Sequence, residues 1–171
     1  MNVTEVIATR HAVRQFSETP VPEDVMLAIL DAGRRSQSSK NTQPWQFIVV
    51  TDRALLEAMS KMGNFAGHLA GANFAVLLVG LQDNTWNNFD LGQAAAFLQL
   101  AASDHGVGSC IAAIYTPDDV KKLLDIPEER TAYCAISFGY PAIGDKPYIM
   151  GGRKPVDEVA YWNKWEGKRG S

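Results

Sequence analysis

The chain is poor in the residues that do chemistry unaided. Among 171 residues there are two cysteines and three histidines. Cys110 and Cys134 stand in no CxxC or metal-ligand pattern, so they read as small apolar residues, buried and unpaired, in a protein of a reducing compartment. No Ser-His-Asp or Cys-His signature is present, and no metal site is expected. There is no GxGxxG and no GxxxxGK[ST], which argues against dinucleotide-binding and P-loop folds. No charge sign dominates: 16 Lys and Arg oppose 19 Asp and Glu, a net charge of −3. Protein-wide attraction to nucleic acid or to an anionic membrane is therefore not expected. No apolar run is long enough to span a bilayer. The opening residues lack the basic and apolar stretches of a secretory signal, and a cytoplasmic location is the expectation. Without an internal repeat or a Pro/Gly-rich linker, residues 1–171 read as a single domain.

What is present is a regular alternation of helical and extended patterns. Asn2, with Glu5 three residues on, predicts the cap of a short helix ending near Arg10 and His11. A second helix has Pro22 in its first turn, Glu23 and Asp24 at its positive end, and Arg34 and Arg35 at its negative end. Strands are predicted over 47–51, 74–80, 109–114 and 131–138. The apolar run 74–80 reads as covered on both faces. Helices are predicted from Asp52 to about Met62, from about Asn88 to His105 with Gly106 as its C-cap, and after Thr116-Pro117. The alanines of the long helix suit close helix contact, in part against a second subunit. The tail, residues 151–171, contains Tyr161, Trp162 and Trp165. It is too aromatic for a disordered end and is expected to wrap a partner subunit.

Two features concentrate polar groups. Between residues 38 and 45, six of eight residues are polar, next to a strand that must be buried. Such groups need partners. The loop is either a plain connector or the seat of a flat, polar ligand. Arg10, His11 and Arg14 form the second feature. Guanidinium groups gathered there could hold a phosphate, or could merely be cations favoured at a helix C-terminus. Arg153-Lys154 forms a further basic pair, which alone reads as a solvated tail.

In order, the chain has Arg10-His11-Ala12-Val13-Arg14-Gln15-Phe16, the Ser38–Trp45 loop followed by Phe47, Asp90-Leu91-Gly92-Gln93, His105 to Cys110, Gly139-Tyr140-Pro141, and Arg153-Lys154-Pro155. This resembles the nitroreductase family, in its short single-domain branch. The resemblance implies an α+β fold with a mostly antiparallel central sheet flanked by helices, in an intertwined homodimer. It implies FMN as cofactor and NADH or NADPH as donor, with hydride passing through flavin N5 to electron-poor acceptors such as nitroaromatics or quinones. By resemblance, Arg10, His11, Arg14 and Arg153 would hold the FMN phosphate, with Lys154 a further tail contact. Ser38, Ser39 and Asn41 of the neighbouring subunit would touch the ribityl chain and ring, with Gln43 supporting the loop. Backbone groups of Ile111, Ala112 and Ala113 would lie near N5. His68 would be either a cation at the flavin's pyrimidine edge or a plain surface histidine. Gln37, Ala12, Lys40 and Ala113 depart from the family's habits. Other chemistry on the same fold, a non-enzymatic flavin-binding protein, or a dimer without cofactor are the alternatives.

Overall fold

The computed structural model describes residues 2–81, 85–144 and 152–167. Its organising element is the apolar run 74–80, part of strand β2 (Phe74–Leu81), of which only Leu81 is exposed. β2 pairs antiparallel with β1 (Gln46–Val50) on one side and with β4 (Arg130–Gly139) on the other; β3 (Gly108–Ala113) completes the order β1-β2-β4-β3. Side chains of a strand alternate between faces. Phe74, Val76 and Leu78 therefore enter one apolar cluster with Ile29 and Leu98, while Ala75, Leu77 and Val79 enter another with Leu56, Met59 and Val120. Helices α2 (Glu23–Arg34) and α4 (Thr85–Asp104) cover the first face; α3 (Arg53–Met59) and α5 (Pro117–Leu123) cover the second. The continuous apolar run is thus explained by a central strand in an antiparallel sheet. Short α1 (Val3–Thr9) and α6 (Val156–Val159) lie toward the two ends of the chain.

α4 sets the shape of one side. Leu91, Ala94, Ala95, Leu98 and Ala102 are buried, and α2 approaches closely enough that a Cβ on Gly33 would stand 2.6 Å from Leu98 Cδ2. On its other side Phe89, Gly92, Ala96 and Phe97 are exposed. A helix apolar on both sides calls for a second cover. Gly106, at φ 71°, turns the chain out of α4, and the Val107 N–H closes back on the Ala102 carbonyl at 2.8 Å.

Several details differ from expectation. Strand and helix ends move by one to three residues, as fraying ends do. Pro22 occupies the cap of α2 rather than its first turn, and the Thr116 side chain makes no capping bond. Cys110 is buried but Cys134 only half-buried. α1 stops at Thr9, just short of Arg10 and His11, which lie in non-helical chain with Arg14.

Candidate functional site

The site begins with a strand edge. In antiparallel pairs, successive residues point their backbone groups alternately toward and away from the neighbour. The Val13 N–H donates to the Ser109 carbonyl at 3.0 Å, and the Asn73 N–H donates to the carbonyl of Phe138, which is opposite Ser109, at 2.8 Å. Ser109 thus turns away from β4. By alternation so do Ile111 and Ala113, while Cys110 and Ala112 turn toward it. β3 is an edge strand, so these outward groups face away from the sheet. One end of the edge is closed by the Ala12–Ser109 bridge. The other is closed by residues 62–63: the Tyr115 N–H donates to the Met62 carbonyl at 2.8 Å, and a Cβ on Gly63 would stand 2.2 Å from the Ala113 carbonyl oxygen. Between these closures the Ile111 and Ala113 amides have no partner among the described residues. Free backbone donors at such a place call for a ligand or water. Of residues 111–113, Ala112 turns its backbone to the ladder and buries its methyl, so the outward backbone groups are those of Ile111 and Ala113.

A positive flank lies beside this edge. The extended segment 10–16 meets the start of β3 at Ser109 and then runs beside residues 139–142, and Gly108 permits it, since a Cβ there would stand 2.7 Å from Val13 Cβ. Arg10 and His11 line a small cleft with Ser103, Gly106 and Gly108. The charges of Arg14 and Arg10 bear on the Cys110 thiol, and Arg14 bears also on His68. Neither arginine has an acidic partner among the described residues. Cations without an acidic partner beside open amides suit an anion.

The polar loop lies at the other end of α4. Ser39–Asn41 is a single tight turn, and Lys40, Asn41 and Gln43 all have left-handed backbone, at φ 52°, 56° and 48°. Each costs roughly 1–2 kcal/mol outside glycine, so the surroundings must impose it. They do so through Asp90, 2% exposed, whose Oδ2 accepts the Ser39 N–H at 3.0 Å. Ser38 Oγ accepts the Gln43 N–H at 3.0 Å, and Gln37 Nε2 donates to Gln93 Oε1 at 2.7 Å. Gln43 Nε2 makes only a long contact to the Asn41 carbonyl, 3.5 Å. The loop's remaining side-chain polar groups, on Ser39, Lys40, Asn41 and Thr42, have no partner among the described residues. Asp90 was not expected in this role; its signal was an acid in an otherwise uncharged stretch of helix. From Asp90 to Ser103 the helix runs about 20 Å at 1.5 Å per residue, so one chain holds the loop and the basic flank well apart.

His68 is neither a surface residue nor a ready cation. It is 9% exposed, in the turn Gly67–Gly71, with Nδ1 2.8 Å from Ser137 Oγ. Burial holds its imidazole below the ordinary range, the Arg14 charge adds to this, and the nearby Ile111 carbonyl opposes it. Nε2 is buried and falls short of a geometric hydrogen bond to any group.

Arg153 and Lys154 are exposed, as are all of residues 152–166. Residues 161–167 form a compact turn, in which Tyr161 packs on Trp165 at 4.8 Å and the Trp162 N–H donates to the Gly167 carbonyl at 2.9 Å. Of the tail expected to wrap a partner, residues 151 and 168–171 lie outside the described residues.

The model of the Nitroreductase family matches residues 7–64 and 61–140. A protein of Archaeoglobus fulgidus, provisionally named an NADH dehydrogenase/NAD(P)H nitroreductase, is 30% identical over 94% of this chain and 97% of its own length. The crystal structure of a protein given the same provisional name, from Parabacteroides distasonis, superimposes with a TM-score of 0.86 over 96% of this chain and 100% of that one, at 29% identity. A structure described as an FMN-dependent nitroreductase of Clostridium difficile has the same fold, with a TM-score of 0.82 over 93% of this chain and 98% of that one, at 24% identity. With its antiparallel four-stranded sheet, its open β3 edge and its long central helix, the chain belongs to the nitroreductase family.

Proposed function

We propose that the protein is a homodimeric, FMN-dependent NAD(P)H oxidoreductase that reduces electron-poor acceptors such as nitroaromatics or quinones. The observation that carries this is the β3 edge, where two free amides, of Ile111 and Ala113, lie beside the unpaired cations Arg10 and Arg14. Free donors suit the polar edge of a flat ring, and cations suit a phosphate, so the residues fit FMN. The names of the relatives, an NAD(P)H nitroreductase and an FMN-dependent nitroreductase, support the same cofactor and donor. When bound, FMN supplies the two-electron chemistry, accepting hydride from NAD(P)H and returning it to the acceptor.

The chain's own residues bind and orient. Arg10, His11 and Arg14 hold the phosphate, with Arg153 and Lys154 brought to it by the tail. Ser39 and Asn41 offer free polar groups to the ribityl chain and ring, while Ser38 and Gln43 keep the loop in its left-handed form. The dimer follows from the distance along α4. If two α4 helices pack antiparallel through their exposed Phe89, Gly92, Ala96 and Phe97 stripes, the loop of one chain comes beside Arg10 and Arg14 of the other. The exposed Val3, Ile7, Val156 and Val159 would be covered in the same assembly.

The test is the visible spectrum of the purified protein, followed by anaerobic addition of NADH or NADPH. Flavin absorption that either nucleotide bleaches is expected. Bound flavin that neither bleaches overturns the donor assignment, and protein that stays colourless after FMN titration overturns the cofactor.

A further inference from the structure

The Ser38–Trp45 loop docks on α4 in a fixed direction. Gln37 Nε2 donates to Gln93 Oε1 at 2.7 Å, and two residues further on the Ser39 N–H donates to Asp90 Oδ2 at 3.0 Å. As the chain advances from 37 to 39, its contacts on the helix retreat from 93 to 90. Residues 86, 90 and 93 stand four and three apart, so they share one stripe of α4. Lys40 comes next in the loop, and Trp86 comes next on the stripe, one turn or about 6 Å along the axis from Asp90. The two contacts thus lead toward a lysine and a tryptophan at the same end of the helix.

Both side chains are open. Lys40 is exposed, at φ 52°, and pairs with no acidic group among the described residues. Glycine would adopt that backbone without strain. What lysine adds there is an ammonium, a compact charge on a long stem. Trp86 is 64% exposed, and Phe89 stands edge-to-face with it, ring centroids 6.0 Å apart and planes at 81°. Such a pair steadies a ring and leaves apolar face uncovered. Phe89 belongs to the stripe assigned above to the partner subunit, whereas Trp86 lies round the helix on the side of the loop. Within residues 36–43 and 85–93 the only charged side chains are Lys40 and the buried Asp90. A flat apolar face beside a lone exposed cation suits a planar aromatic anion.

We propose that Lys40 and Trp86 form the acceptor subsite, and that it selects electron-poor aromatic acceptors bearing an anionic group such as a carboxylate. The indole face of Trp86 carries the aromatic ring, and the Lys40 ammonium pairs with the anion. Asp90 places the two together, since it holds the residue before Lys40 and stands one turn from Trp86. The subsite travels with the loop, so in the dimer it serves the flavin of the neighbouring chain. Charge and shape are read separately: removing the ammonium leaves the ring contact in place.

The inference rests on the flavin reading above, and the test separates the two. Holoenzyme is reduced anaerobically with NADH or NADPH, and reoxidation of its flavin by 3-nitrobenzoate and by the uncharged methyl ester is followed by stopped flow. Lys40→Gln should raise the half-saturating concentration of the carboxylate by about fivefold and leave that of the ester in place. Lys40→Gly should do the same while raising Tm, because it also relieves the left-handed backbone. A rise in Tm with no change in acceptor preference would make Lys40 a residue of loop shape alone and overturn the subsite. Trp86→Leu should weaken both acceptors, and Trp86→Phe should restore most of the loss. Unchanged carboxylate-to-ester ratios in both Lys40 variants, with flavin bound and reduced, overturn the subsite without touching the flavin reading. So does a Lys40 variant that slows reduction by the donor as much as reoxidation. A Trp86→Leu protein that sediments as a monomer assigns Trp86 to the interface and removes it from the subsite. Protein that holds no flavin overturns the subsite and the cofactor together.

Discussion

The carboxylate of Asp90 accepts the backbone N–H of Ser39 at 3.0 Å, from a helix that has no other charged residue before Asp104. This bond anchors three left-handed residues that would otherwise relax. A hydrogen bond to a charged group contributes about 1.5–3 kcal/mol. Asp90→Ala should therefore weaken FMN binding by tenfold or more, read by flavin fluorescence, whereas Asp90→Asn, which keeps an acceptor oxygen, should lose less. Equal affinity in wild type and Asp90→Ala would show that the loop holds its form unaided.

Arg14 has no acidic partner among the described residues, and its charge bears on both Cys110 and His68. If it faces the phosphate, Arg14→Ala should raise the Kd for FMN at least tenfold, and the loss should be smaller for riboflavin, which has no phosphate. Equal losses for FMN and riboflavin would move Arg14 from the phosphate to the ring.

Gly63 leaves room for the Ala113 carbonyl, 2.2 Å from where a Cβ would be. Gly63→Ala must push the β3 edge, at roughly 1–3 kcal/mol, and should lower Tm and FMN affinity together. Gly67→Ala, where a Cβ meets nothing within 4 Å, is the control and should change neither by much. A Gly63→Ala protein that melts and binds as wild type would remove that closure from the site.

Phe97 lies on the exposed stripe of α4. Phe97→Glu puts a charge where two chains are proposed to meet, so it should shift the protein to monomer in sedimentation and cost it bound FMN. A monomer that keeps full FMN occupancy would refute the two-chain site.

Burial pushes the Cys134 thiol up to about 11, from an ordinary 9.0. The unfolded chain gives up this proton from 9.0 upward while the folded chain keeps it. The resulting stability is intact below pH 9 and is lost as pH rises toward 11, by on the order of 2 kcal/mol. Urea denaturation on both sides of that window should show a smaller alkaline loss for Cys134→Ala. The same loss in both proteins would assign the effect to other groups.

Local chemistry was enough to place the elements. The run 74–80 had to be a covered strand, Gly106 had to end the long helix, and the order of the arginine, loop and Gly-Tyr-Pro segments pointed to the family. These features depend on neighbours in the chain, so they are legible along it. Tertiary structure alone decided which backbone groups are free. The outward turn of Ile111 and Ala113 follows from the register of β3 on β4 and from Val13 and Gly63 closing the ends. A shift of one residue would have exposed Ala112 instead. In the same way, His68 is buried because Ser137 and the β3 edge close over it, and Asp90 meets Ser39 across 51 residues of sequence. Such pairings depend on contacts between distant segments, and no local pattern in the chain encodes them.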